Sequence, residues 1–353
     1  MLIGPTAGRR RSVVQRNGQS RERTELAHAA QLLQQRDHAS ALKIVQEIAT
    51  RAPTSADAFH LLALCEKNLG RRDAAAAAFE TATRLAPRDP NILSNHANFI
   101  YSSGRAADAV ELYRSALTLA PAHADAWLNL GLALLDIPDI QASQAALQKA
   151  AALAPQRSTI WQALGSAYRA AGDLENAADA QRRAVAVDPG NGAAWTNLGV
   201  VMRLLGNPEE SLQCYARARA AGFDAPELDD AEASAHLDLG NPRAAYELTR
   251  RLVSRAPHYV PGHTMLAQLL WEHGADLAEG EDPRRAFRNA VAQQPGNHAL
   301  RSELVRFLLD SRAAGDALAE IRDGQALQGR QALITSEARA LEMLGDMRAA
   351  DAL

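Results

Sequence analysis

The chain has 353 residues, of which 47% are apolar, only 5% aromatic and 22% charged, with a formal net charge of −3. That balance excludes a surface built as a whole for nucleic acid or an anionic membrane, and two cysteines exclude a disulfide scaffold and a four-cysteine zinc site. No run approaches the ~18 uninterrupted apolar residues of a membrane-spanning helix.

In chain order, residues 1–21 come first: Arg9, Arg10, Arg11, Arg16 and Arg21 scattered among Gly, Ser and Gln. No apolar stretch follows the arginines, so this is not a secretory leader; the composition predicts a disordered basic N-terminal tail. From residue 22 a period of 34 sets in. Pro53, Pro87, Pro121, Pro155 and Pro189 keep it four times in succession, and Pro257 resumes it after Phe223 takes one slot. Ala82, Ala116, Ala150, Ala184 and Ala218 form a second column, and Ala75, Ala109, Ser143, Ala177 and Ser211 a third. Gly70, Gly104, Gly172, Gly206, Gly240 and Gly274 form a fourth, with Pro138 in its broken slot, and Phe59, Trp127, Trp161 and Trp195 a fifth.

A fixed period of this length means a solenoid. Small residues belong where two antiparallel helices approach closely. Glycine ends the first helix in a left-handed conformation, and proline follows the second because it cannot continue one. Each period therefore predicts two helices of about 12–14 residues. The units run 22–55, 56–89, 90–123, 124–157, 158–191, 192–225, 226–259 and 260–297, the last with a four-residue insertion within 276–283. A degenerate unit covers about 298–330, and an incomplete one begins near Gln331, with Leu344-Gly345-Asp346 at its turn. The seventh unit departs most: Asp229 takes the aromatic slot and Glu232 a leucine slot. This predicts a drifted, solvated first helix, or a bend in the array. The acidic run from Asp224 to Glu232 reads as a solvent face, with contact to a basic partner as the alternative.

The segments Ala126-Trp127-Leu128-Asn129-Leu130-Gly131, Trp161-Gln162-Ala163-Leu164-Gly165 and Trp195-Thr196-Asn197-Leu198-Gly199 resemble the opening of a tetratricopeptide repeat. The resemblance covers nearly all of residues 22–353. It implies an all-α fold, a right-handed superhelical α-solenoid of helix–turn–helix repeats whose first helices line a concave groove. It also implies a bacterial, cytoplasmic interaction scaffold for a protein or peptide ligand, with Cys65 and Cys214 as reduced thiols.

Within that groove Asn95, Asn129 and Asn197 recur in one column, Asn98 adds an amide one turn on, and the fifth unit has Gln162 beside Ala163. An asparagine offers a donor and an acceptor, so such a row suits the backbone of an extended peptide; the row is similar to that in the repeat arm of O-linked N-acetylglucosamine transferases. Arg169 and Arg203 complete the expected groove residues. Scarce lysines exclude the clamp by which some repeats of this kind hold C-terminal carboxylates.

No catalytic constellation is present: there is no phosphate loop and no nucleophile elbow. His123-Ala124-Asp125 matches part of an iron-binding triad but straddles a unit boundary, where an acid near a helix start serves capping. His263 and His273 lie too far apart to share a metal without a third ligand. No cofactor and no metal site are expected. Two alternatives to a pure scaffold remain. The chain resembles the repeat arms of bacterial glycosyltransferases, sulfotransferases and 2-oxoglutarate/iron oxygenases, so a catalytic domain would follow Leu353. Or the uncapped last unit pairs with a second copy as a homodimer.

Overall fold

The computed structural model describes residues 6–277, 282–328 and 333–352. It divides into two compact units, residues 1–187 and 188–353. In the first, α1 (Thr6–Gln34), α2 (His38–Arg51), α3 (Ala56–Asn68), α4 (Arg72–Leu85) and α5 (Pro90–Ser102) are followed by α6 (Ala106–Leu119), α7 (Ala124–Asp136), α8 (Ile140–Leu153), α9 (Ser158–Ala170) and α10 (Leu174–Val187). The second holds α11 (Gly192–Leu204), α12 (Pro208–Ala220), α13 (Pro226–Asp238), α14 (Pro242–Arg255), α15 (Val260–Leu277), α16 (Pro283–Gln293), α17 (His298–Asp310), α18 (Ala314–Gln328), α19 (Ile334–Met343) and α20 (Met347–Asp351). Among the described residues there is no strand. Odd-numbered helices pair with the even-numbered helices that follow, and within a unit first helices also touch first helices, as α5 does α7 and α7 does α9. This is the expected α-solenoid of helix–turn–helix repeats.

The columns have the expected roles. Ala75, Ala109, Ser143, Ala177 and Ser211 are wholly buried. So are Ala82, Ala150, Ala184 and Ala218. Gly70 stands at φ 76°; its N–H donates to the Lys67 carbonyl and that of Arg71 to the Glu66 carbonyl, so the left-handed residue lets two orphan carbonyls of α3 find donors. At Gly131 the reason is space: a Cβ there would lie 2.4 Å from Leu147 Cγ.

Three expectations are corrected. α1 begins at Thr6, so most of the segment expected as a disordered tail is drawn into that helix; residues 1–5 lie outside the described ones. Gly274 ends no helix, because α15 runs on through it to Leu277. The insertion expected within 276–283 falls partly on residues 278–281, outside the described ones, as do residues 329–332 at the join of the last two units. The first helix of the seventh unit is neither solvated nor loose. Asp229 is 2% exposed, and Leu228, Ala233 and Ala235 of α13 are wholly buried.

Candidate functional site

The tryptophan column joins one repeat to the next. Trp127, Trp161 and Trp195 donate Nε1–H to the carbonyls of Pro121, Pro155 and Pro189 at 2.8, 2.8 and 2.9 Å. Further on, His263 occupies this column and bonds the Pro257 carbonyl at 2.8 Å, and Arg301 reaches that of Pro295 at 3.3 Å. From the fourth repeat to the ninth, with Asp229 the exception, the column thus holds an N–H donor, which fixes how the first helix sits against the preceding turn. His123 of the His-x-Asp match is likewise structural: its Nδ1 accepts the Ala126 N–H at the start of α7, and Asp125 pairs with Arg157.

On that frame α5 and α7 bring three of the expected residues together. Asn95, Asn98 and Asn129 line one polar recess of about 320 Å³, with Asn91, Ser94 and Asp125 around them. Asn98 is its hub. Its Oδ1 accepts from the Tyr113 hydroxyl at 2.6 Å and from Asn129 Nδ2 at 2.8 Å. Burial pushes the Tyr113 phenol up, which keeps it a donor. Asn95 Nδ2 lies 2.9 Å from His60 Nε2. An amide nitrogen only donates, so Nε2 accepts; burial lowers the His60 pKa, which favours the neutral ring that this needs.

These bonds orient the amides beside the recess that they line. Among the described residues, Asn98 Nδ2 keeps its N–H groups, and Asn95 and Asn129 keep their Oδ1 acceptors. Ser94 is 5% exposed and its Oγ has no partner among the described residues. A buried hydroxyl left unmatched costs about 1–3 kcal/mol, so the recess holds a polar demand that a peptide unit, with one donor and one acceptor, would meet. Ser94 and His60 both sit one residue before the asparagine column, and that regularity is the sign of them in the sequence.

The other expected groove residues do not join this recess. Gln162 is half-buried on α9, where its backbone carbonyl accepts from Gln181 Nε2 at 3.1 Å, and Arg169 is exposed at the end of that helix. Asn197 and Arg203 belong to the second unit. Arg203 is not a free groove cation: its guanidinium donates to Asp238 at 3.0 Å.

The acidic run of the seventh repeat is also largely spent inside the fold. Asp229 accepts from Arg219 at 2.5 Å and from Arg255 at 2.6 Å, Glu232 binds Arg219 at 2.5 Å, and Asp224 pairs with Arg255. Cys65 and Cys214 are buried and unbridged, and burial pushes the Cys65 thiol up to about 11. Among the described residues no group of three metal-binding side chains occurs, and no helix is long and apolar enough to cross a membrane.

Comparison with known proteins agrees with this architecture. The family model for the C-terminal domain of cilia and flagella-associated protein 70 matches residues 86–301, and a tetratricopeptide repeat model matches residues 32–98. No curated protein matches the chain. Among solved structures, a tetratricopeptide repeat protein from Parabacteroides merdae is 12% identical with a TM-score of 0.56, over 70% of this chain and 98% of that one. Pseudomonas aeruginosa PilF is 16% identical with a TM-score of 0.52, over 60% of this chain and 97% of that one. The Cut9–Hcn1 hetero-tetramer of the APC/C is 15% identical with a TM-score of 0.52, over 88% of this chain and 58% of that one. At such identities the likeness is one of fold.

Proposed function

The chain belongs to the tetratricopeptide-repeat family of that C-terminal domain model, a fold that serves as a protein-interaction scaffold, and from this we propose that its first unit captures an extended peptide through the recess of Asn95, Asn98 and Asn129. The observation that carries the proposal is the pair of bonds to Asn98 Oδ1. They turn two side-chain amides into a fixed donor–acceptor pair, so that little ordering cost falls on the protein when ligand binds. Contacts to backbone rather than side chain make this a reader of extended conformation, with sequence preference coming from neighbouring positions of the groove. Ordering the peptide offsets much of the contact energy, which places affinity around micromolar.

The test is selection of linear peptides from a random library on the intact chain, followed by titration of the selected peptide into variants. Asn98→Ala removes the hub, and Asn129→Ala removes its partner. Each should weaken binding about tenfold, the loss of one or two net hydrogen bonds, with unchanged helicity by circular dichroism. Undiminished binding in the Asn98→Ala, Asn129→Ala double variant overturns the proposal.

A further inference from the structure

On the face of α7 away from the amide recess, the aromatic column behaves differently from repeat to repeat. Over Trp161 lies the guanidinium of Arg183, 4.7 Å from the ring centroid, and over Trp195 lies that of Arg217 at 4.8 Å. The residue one period earlier is Lys149, and among the described residues no cation covers the ring of Trp127. The result is an open cleft of about 450 Å³ between α6, α7 and α8, walled by Leu117, Trp127, Leu130 and Leu134 and floored by Ala142 and Ala146. That volume is enough for one large side chain.

Its rim has a sign. Lys149 and Arg114 stand at the edge; Arg114 has a partner in Glu111 at 3.0 Å, while Lys149 is exposed and has no ion pair among the described residues. The α8 side carries Ala142 and Ala145, where the next two repeats have Asn176 and Asp179, then Glu210 and Gln213. So this cleft alone among the three combines a bare tryptophan face, a low alanine wall without carboxylates and an unpaired lysine. We propose that it is a second docking site, for an acidic partner segment that inserts a phenylalanine or leucine side chain against Trp127 and sets a flanking carboxylate on Lys149. Burying the anchor supplies the affinity, and the exposed charge pair adds steering and salt dependence.

The probe is a fluorescein-labelled peptide with the core Glu-Glu-Phe-Leu-Glu-Glu, followed by fluorescence anisotropy with the full chain. Two control peptides carry Gln for every Glu, or Ala for Phe and Leu. The expected result is binding of the acidic apolar peptide, at least tenfold weaker binding of both controls, and weakening as salt rises. Ala142→Leu, which fills the cleft, and Lys149→Glu, an exposed change that leaves packing alone, should each weaken binding about tenfold. Asn98→Ala should leave it unchanged, which separates this site from the amide recess. No binding of the acidic peptide, equal binding of the Gln control, or binding indifferent to Lys149→Glu overturns the proposal.

Discussion

The fourth repeat, residues 124–157, and the seventh, residues 226–259, answer one structural demand with opposite chemistry. In the fourth, Trp127 fills the slot beneath the preceding turn and donates to the Pro121 carbonyl. In the seventh, the same slot holds a carboxylate, and the proline six residues earlier is replaced by Phe223. Asp229 cannot donate, so the donors come to it: Arg219 from α12 and Arg255 from α14. Those arginines stand in columns that elsewhere hold Leu117, Ala151 and Val185, and Leu85, Leu119 and Leu153. Three changes that each look like decay form one compensated set. A repeat interface thus tolerates a change of chemistry when donors, acceptors and volume are exchanged together.

The largest expected effect comes from dismantling that set. Asp229→Ala removes the one carboxylate that both guanidinium groups share, leaving Arg219 with Glu232 and Arg255 with Asp224. A wholly buried pair costs about 3–5 kcal/mol to break, but these arginines are about one-third exposed and each keeps one carboxylate, so about 2 kcal/mol is expected. Restoring the apolar solution with Asp229→Trp, Arg219→Val and Arg255→Leu together should recover most of the loss. Urea unfolding of both variants checks this; a triple variant as unstable as Asp229→Ala would show that the three positions do not act as one.

A smaller effect is expected on the aromatic side. Trp161→Phe keeps a ring but loses the bond to the Pro155 carbonyl and weakens the stacking of Arg183. The carbonyl can turn to water, so the cost is about 0.5–1.5 kcal/mol by thermal melting. A loss as large as that of Asp229→Ala would erase the contrast between the two solutions.

The two units also differ in the sign of one pH effect. In the first, burial lowers the pKa values of His60 and His96, and the His96 ring stacks on Phe79 at 5.5 Å. The folded state therefore binds fewer protons than the unfolded one near pH 6.5, and stability is lost as pH falls through that value. In the second, burial raises the Asp230 carboxyl above its ordinary value near 3.8, so stability is lost as pH rises from there through the raised pKa. His96→Leu should flatten the first dependence between pH 7.5 and 5, and Asp230→Asn the second at lower pH, each read by denaturant midpoints. Unchanged slopes would mean that neither group titrates differently on folding.

Much of this was legible in the sequence, and the limits have physical causes. Proline, alanine and glycine columns report backbone conformation and closest approach, which depend on residue type alone, so the helix pairs of the solenoid can be read directly. The hydrogen bond from the tryptophan column to a carbonyl leaves no trace in a one-dimensional pattern; only His263 and Arg301 in the same column betray that a donor is wanted. Asp229 and Glu232 look solvated in the sequence because their partners lie 10 to 26 residues away. The asparagine column places Asn95 and Asn129 on one face, but it carries no sign that Asn98 bridges Tyr113 and Asn129. At Arg203 a charge in the sequence does not reveal the acid, Asp238, that neutralises it.

The central claim, that the amides around Asn98 meet a peptide backbone, is tested most directly by nuclear magnetic resonance of the side-chain NH2 groups. The chain is labelled with nitrogen-15, the Asn98 and Asn129 signals are assigned through the single alanine variants, and the selected peptide is titrated in. The account predicts that the Asn98 signals move most, since its free N–H groups gain an acceptor, with Asn129 following through their shared bond. If the peptide binds while both signals stay fixed, the recess is not the site of capture and the account is wrong.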